Sequence, residues 1–176
     1  TLTAWESQTW GSGGNGGGGS PPLPYIFTIP NQRKQHTGIV NHIGSSRAWR
    51  APNQPQACPI TMTALEDAAA AIGMDPYDFF MKNIELTGQR ANIYADEMKI
   101  AADLIGWKKS WHVRGDKTAG PIKRGLGLSI HTWGGQAGQS DCELTIQPDG
   151  SVELKMGTQD LGTGTRTALN IIVADT

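Results

Sequence analysis

One run constrains this chain more than any other: Gly157-Thr158-Gln159-Asp160-Leu161-Gly162-Thr163-Gly164-Thr165-Arg166-Thr167. It joins a strand pattern to a helix pattern. Upstream, residues 143–147 and 152–156 alternate in polarity around Pro148-Asp149-Gly150, which predicts a β-hairpin. Downstream, Ala168, Leu169, Ile171, Ile172 and Ala174 fit one side of a helix. Glycine and threonine at such a junction are expected to leave backbone N–H groups free, with partial positive charge added by the helix dipole. Two readings follow. The junction is an anion site suited to phosphate, or it is a tight turn with a threonine cap. It is neither a Walker loop, since no lysine follows the last glycine, nor a dinucleotide fingerprint, since the third glycine is missing.

The rest of the chain predicts an α+β fold, with small antiparallel or mixed sheets packed with helices. Thr1–Trp10 alternates as a strand, and Gly11–Ser20 reads as a mobile Gly/Ser/Asn loop. Tyr25–Ile29 is expected to be a short strand. Arg33–His42 reads as a polar crossover, with a second strand near Ile39-Val40. Prolines at 52, 55 and 59 argue against a regular helix before Ile60, leaving Arg47, Trp49 and Arg50 on an irregular segment. A small-residue helix follows, with Ile60, Thr63, Ala64, Asp67, Ala68, Ala71 and Ile72 as its packing face and Gly73 as its stop.

Asp75-Pro76 starts a second helix, with Phe79, Phe80 and Ile84 as core contacts. Tyr94, Met98, Ala101, Ala102 and Ile105 trace a third, ended by Gly106. Lys108, Lys109, Arg114, Lys117, Lys123 and Arg124 belong to a basic connector, read as a solvated loop. Gly125–Trp133 reads as a strand and Gly134–Gly138 as a turn. The organisation falls into three stretches: 1–20, strand and glycine-rich loop; 25–120, loop and helices; 121–176, sheet and the Gly-Thr-Gly helix junction.

Charge and cysteine content exclude several classes. Fifteen basic against sixteen acidic residues give a net charge of −1, so no general attraction to nucleic acid or anionic membrane is implied. No apolar run is long enough to span a bilayer. Cys58 and Cys142 cannot form a disulfide scaffold or a four-thiolate site, and both read as buried small hydrophobes. The four histidines lack ligand spacing, so no metal ligand is assigned. The chain opens without Met in a strand-like run and stops in a helical one, and it reads as a piece of a longer polypeptide.

Two ordered segments carry a resemblance. The first is Ala48-Trp49-Arg50-Ala51-Pro52, leading into residues 64–76 and closing at Asn83. The second is Asp149-Gly150-Ser151-Val152 followed by residues 157–165. Together with Ile29-Pro30-Asn31, their order resembles the large, molybdopterin-binding subunit of the xanthine oxidase (molybdenum hydroxylase) family. The likeness covers about Tyr25 to Thr176 and is strongest to bacterial aldehyde-oxidising and isoquinoline-type members.

The resemblance implies a cofactor-binding set of Trp49, Arg50, Ala51, Gly162, Thr163, Gly164 and Thr165 around the molybdenum cofactor, molybdopterin or its cytosine dinucleotide form. Arginine's planar fork suits phosphate and oxo groups. The resemblance further implies hydroxylation of an aldehyde or N-heterocycle with water as the oxygen source. Electrons would leave to an iron–sulfur and FAD or cytochrome subunit, and the remainder of the molybdopterin subunit would be a partner. Periplasmic export is common in such relatives. The family's general-base glutamate is expected beyond Thr176, so no catalytic residue is assigned, and Asp160 is given a structural role. Pro52 stands where xanthine-type members carry a stacking Phe. Ala51 stands where carbon monoxide dehydrogenases carry a copper-binding Cys. Thr163 replaces the Gln of many members. The competing readings are a non-catalytic phosphate- or nucleotide-binding module and a purely structural segment.

Overall fold

The computed structural model describes residues 1–16, 18–47, 51, 53–115, 117, 120–134 and 138–175. These form two compact units, Thr1–Trp133 and Gly134–Thr176. Helices and two separate two-stranded sheets give the expected α+β class.

In the first unit, β1 (Ala4–Ser12) pairs in parallel with β2 (Asn31–Ile39), in register from Ala4↔Asn31 to Ser12↔Ile39. The segment expected to be a polar crossover is therefore itself the second strand. Its residues are polar on both faces and almost all exposed, so it carried no alternation to read; pairing with β1 makes it a strand. The exposed Arg33–Glu6 pair at 3.3 Å adds little, because solvent screens it. Within the ladder, the Thr9 hydroxyl meets His36 Nδ1 at 2.9 Å. His36 Nε2 lies 2.9 Å from the Gly18 carbonyl, to which it donates.

The glycine-rich run between these strands is folded, contrary to the expectation of a mobile loop. Gly13 and Gly14 are buried. Asn15 N donates to Ile43 O (3.1 Å), Asn41 N to Gly14 O (3.3 Å) and Ser46 N to Gly13 O (3.0 Å). A 3₁₀ turn spans Gly14–Gly16, with Gly14 at φ 72°. A Cβ at Gly14 would stand 2.1 Å from Gly44 O, so glycine here permits backbone-to-backbone packing that flexible linkers do not make.

The core is built on α1 (Gln54–Ala71), α2 (Pro76–Lys82) and α3 (Ala91–Ile105), with a single turn, α4 (Trp107–Ser110), after Gly106. Helix α1 begins six residues before Ile60. Pro55 falls in its first turn, where the missing N–H costs nothing, and Pro59 sacrifices one hydrogen bond close to the start. Its buried face is Ala57, Cys58, Thr61, Met62, Leu65 and Ala69, one notch round from the expected one; Ile60 and Ile72 are exposed. In so alanine-rich a helix several faces look apolar, and the larger Met62 and Leu65 decide which is buried. Tyr94, Met98 and Ala102 of α3 are buried as expected, whereas Ala101 and Ile105 face solvent.

Helix α2 starts as predicted: Asp75 accepts from Tyr77 N at 2.8 Å, with Pro76 at the first position. Phe79, Phe80 and Ile84 are buried, and Phe80 meets Phe27 edge-on, 5.9 Å between ring centroids. Asp75 also accepts from the buried Trp107 Nε1 (2.9 Å) and from Lys108 Nζ (2.9 Å), tying α4 to the start of α2. Asn83, 2% exposed, donates to Phe79 O and accepts from Leu2 N, both at 2.7 Å.

Two segments expected to be strands have the alternation of strands but no ladder. Leu23, Tyr25, Phe27 and Ile29 are buried on every second residue, yet the segment is held by Tyr25 N to Thr61 Oγ1 (2.8 Å) and Thr28 N to Leu86 O (2.7 Å). Residues 125–133 belong to no helix or strand and are fixed by side chains. Leu128 N donates to Glu66 Oε1 (3.0 Å), Cys58 Sγ donates to Ile130 O (3.7 Å), and Tyr25 Oη donates to Thr132 O while accepting from Thr132 N. Alternation reports which residues are buried; a strand additionally needs a neighbouring backbone.

The second unit contains the predicted hairpin, β3 (Cys142–Ile146) antiparallel to β4 (Val152–Met156). Gly150 at φ 84° makes the turn, and Asp149 Oδ1 accepts from Ser151 N (2.9 Å) and Ser151 Oγ (2.7 Å). Helix α5 (Thr165–Asp175) follows the glycine junction, and none of its residues is buried. The expected turn at 134–138 includes residues 135–137, which lie outside the described residues.

Candidate functional site

The junction after β4 is built by two glycines with positive φ, Gly162 at 95° and Gly164 at 76°. A Cβ on Gly164 would meet nothing within 4 Å, so glycine is needed there for its backbone conformation and not for close approach. These angles turn successive N–H groups inward, and the helix opens with Ala168 N donating to Gly164 O at 2.9 Å.

The inward N–H groups are not free. Asp160 Oδ1 accepts from Gly162 N (2.9 Å), Thr163 N (3.0 Å) and Gly164 N (3.2 Å). The expectation of unshielded donors at this junction is corrected: the chain's own carboxylate lies in the concavity. The backbone hydrogen bond from Gly162, joined by those from Arg166, Gly164 and Thr163, outweighs the opposing desolvation and holds the Asp160 carboxyl below its ordinary value. The structural role expected of Asp160 is thereby given a geometry. Beside it, the hydroxyls of Thr163 and Thr165 lie 2.9 Å apart.

Of the other expected site, Trp49 and Arg50 lie outside the described residues, as do Ala48 and Pro52. Ala51 is described. Its φ is 51°, unusual for a residue with a Cβ, and its carbonyl accepts from Gln54 N (3.3 Å) as α1 begins. Ala51 lines a cleft of about 1020 Å³ in the first unit, whose walls include Trp10, His36, Ser46, Arg47 and Ile60. The glycine-rich turn forms another wall. Arg47 Nη1 donates to the carbonyls of Ser45 (3.3 Å) and Ser46 (3.4 Å), so its guanidinium is steered by its own loop. The sequence signals Arg47 through its place beside Trp49 and Arg50. It gives no sign of His36, a lone histidine in a polar strand whose position depends on the β1–β2 pairing.

Ala51 belongs to the first unit and Gly162–Thr165 to the second. A smaller cleft of about 280 Å³ lies where α1 ends, lined by Glu66, Met74, Trp111, His112, Arg114 and Leu126; Arg114 is paired with Asp67 at 2.5 Å. Among the described residues no group of three or more His, Cys, Asp or Glu side chains is placed to hold a metal, and no helix is long and apolar enough to cross a membrane. Cys58 is buried, and burial pushes its thiol up despite a hydrogen bond involving Ser129. Cys142 is exposed, which corrects its reading as a buried hydrophobe: it opens one strand of a two-stranded hairpin.

Residues 100–176 match the family described as the molybdopterin cofactor-binding domain. The chain is 25% identical over 151 residues to the xanthine dehydrogenase molybdenum-binding subunit of Escherichia coli O157:H7, covering 77% of this chain and 20% of that protein. A putative xanthine dehydrogenase molybdenum-binding subunit of Escherichia coli strain K12 matches over the same length at the same identity. The aldehyde oxidoreductase molybdenum-binding subunit PaoC of Escherichia coli O157:H7 is 24% identical over 180 residues, covering 96% of this chain and 24% of that protein. The chain thus spans a fifth to a quarter of the length of these relatives. No solved structure matches. The matches support the resemblance read from the two sequence segments.

Proposed function

We propose, taking the chain as a segment of the molybdopterin-binding subunit family, that it helps to hold the molybdenum cofactor in an oxidoreductase. The observation that carries this reading is the match over residues 100–176, which contains the whole glycine junction and α5. The intact protein hydroxylates an aldehyde or an N-heterocycle with water as the oxygen source. Electrons pass to iron–sulfur centres on another domain or subunit, because two cysteines cannot hold such clusters here.

The residues fit the cofactor unevenly. The cleft beside Ala51 is roomy and walled by backbone, hydroxyl, imidazole and guanidinium groups, the polar set a pterin with a phosphate tail calls for. Ala51 is assigned to that side, and Trp49 and Arg50, outside the described residues, join the cofactor set on the resemblance alone. The cofactor supplies the redox chemistry; the chain supplies hydrogen bonds and a shaped wall. At the junction, Gly162, Thr163 and Gly164 have their N–H groups occupied by Asp160, so contact there falls to the Thr163 and Thr165 hydroxyls. The same occupation disfavours a nucleotide module that grips phosphate through this turn.

Arg50→Ala in the intact subunit tests the reading by metal analysis. The expected result is a several-fold loss of bound molybdenum with unchanged secondary structure. Unchanged molybdenum content would remove Arg50 from the cofactor set.

A further inference from the structure

The cleft of about 280 Å³ at the C-terminal end of α1 carries a negative charge that nothing around it balances. Glu66, Ala70 and Gly73 recur at the four- and three-residue spacing of one helix face, so the small residues that follow Glu66 leave a hollow beside it. A Cβ on Gly73 would meet nothing within 4 Å. Met74, Trp111 and Leu126 supply apolar wall. The cleft shares no lining residue with the one beside Ala51.

The charges can be followed one by one. Glu66 Oε1 accepts from Leu128 N at 3.0 Å, which holds the carboxylate in place, and no cation among the described residues pairs with it. The Arg114 guanidinium, also in the wall, is already held by Asp67 at 2.5 Å. Both ring nitrogens of His112 lie 2.9 Å from carbonyl oxygens, those of Val113 and Arg124. Helix α1 has no basic residue in its last turn, so the partial negative charge of its C-terminal carbonyls is not offset from within the helix. Beside these sits Trp111, half-buried, whose ring is the best aromatic partner for a cation.

We propose that this cleft binds a small organic ammonium ion, a primary amine with a compact apolar body, its ammonium on the Glu66 carboxylate and its body against Trp111, Met74 and Leu126. The volume is below that of ordinary drug-sized pockets, which limits the ligand to a single ring or a short chain. The site goes beyond the cofactor reading and does not depend on it.

The test follows the Trp111 indole N–H and Leu128 amide resonances of the 176-residue chain during three titrations: phenethylammonium chloride, 2-phenylethanol as its neutral counterpart, and inorganic phosphate. The expected result is a saturable shift with the amine at a dissociation constant of about 1 mM, and binding roughly tenfold or more weaker with the alcohol. Glu66→Gln keeps an acceptor oxygen for Leu128 N and removes only the charge. It should weaken the amine about tenfold and leave the alcohol unchanged. The proposal is overturned if the amine gives no saturable shift, if the alcohol or phosphate binds as tightly, or if Glu66→Gln binds the amine as well as the wild type does. Should Glu66→Gln fail to fold, the wild type decides by itself. Raising salt from about 0.01 M to about 1 M shortens the screening length from about 30 Å to about 3 Å. It should weaken the amine and not the alcohol, and amine binding indifferent to salt overturns the site.

Discussion

Replacing Gly14 by alanine tests whether the glycine-rich run is a folded wall or a free linker. An alanine Cβ at that position would stand 2.1 Å from Gly44 O, 2.7 Å from Gly44 C and 2.8 Å from Ile43 O, all backbone atoms that cannot rotate away. The residue also sits at φ 72°, which costs a non-glycine residue about 1 kcal/mol. Forcing the 41–46 segment outward adds about 1–3 kcal/mol, the usual cost of overpacking. The total is about 2–4 kcal/mol, and at about 2–4 °C per kcal/mol for a chain of this size the melting temperature should fall by about 5–15 °C. Gly19→Ala is the internal control, because its Cβ would meet nothing within 4 Å and its φ is not positive. It should be neutral, or stabilising by up to about 1 kcal/mol through the unfolded state. The assay is thermal unfolding followed by circular dichroism, with urea melts to confirm the free energies. If Gly14→Ala melts within about 2 °C of the wild type, or if both variants behave alike, the packing argument is wrong and the run is a linker after all.

Two further outcomes are expected. Asp75→Ala removes the cap of α2 and the partner of the buried Trp107 Nε1, and should cost about 2–4 kcal/mol in urea unfolding. Burial pushes the Asp75 carboxyl up, but hydrogen bonds from Lys108, Trp107 and Tyr77 N outweigh it and hold it below its ordinary value. The folded value thus lies under the unfolded one. The stabilisation is complete above about pH 4 and is lost as the pH falls through the depressed folded value, so wild type and Asp75→Ala should converge in acid. A pH-independent gap between them would refute the linkage. In the native chain a maleimide should label the exposed Cys142 rapidly and Cys58 only after unfolding, since burial keeps that thiol protonated. Equal labelling rates, read by peptide mass, would contradict the packing of α1 against residue 130.

What the sequence determined by itself is local. The Pro148–Gly150 hairpin, the Asp75-Pro76 helix start, the stops at Gly73 and Gly106 and the helix after Gly164 all formed where their residues indicated. Each depends on a φ value or a side-chain-to-backbone bond spanning only a few residues. The capture of the 162–164 amides by Asp160 is of this kind too, and an Asp two positions before a Gly-x-Gly turn is a signal the sequence offers. Other features required the tertiary structure. The alternation at 23–29 and 125–133 says which side chains are buried, but no sequence feature shows whether a neighbouring backbone or the side chains of Tyr25, Cys58 and Glu66 will hold the segment. The polar strand 31–39 exists because β1 lies beside it. The glycine run became a wall of the Ala51 cleft because the 41–46 backbone packs against it. Local backbone preference is written in short stretches of residues, whereas pairing and burial depend on what the rest of the chain brings alongside.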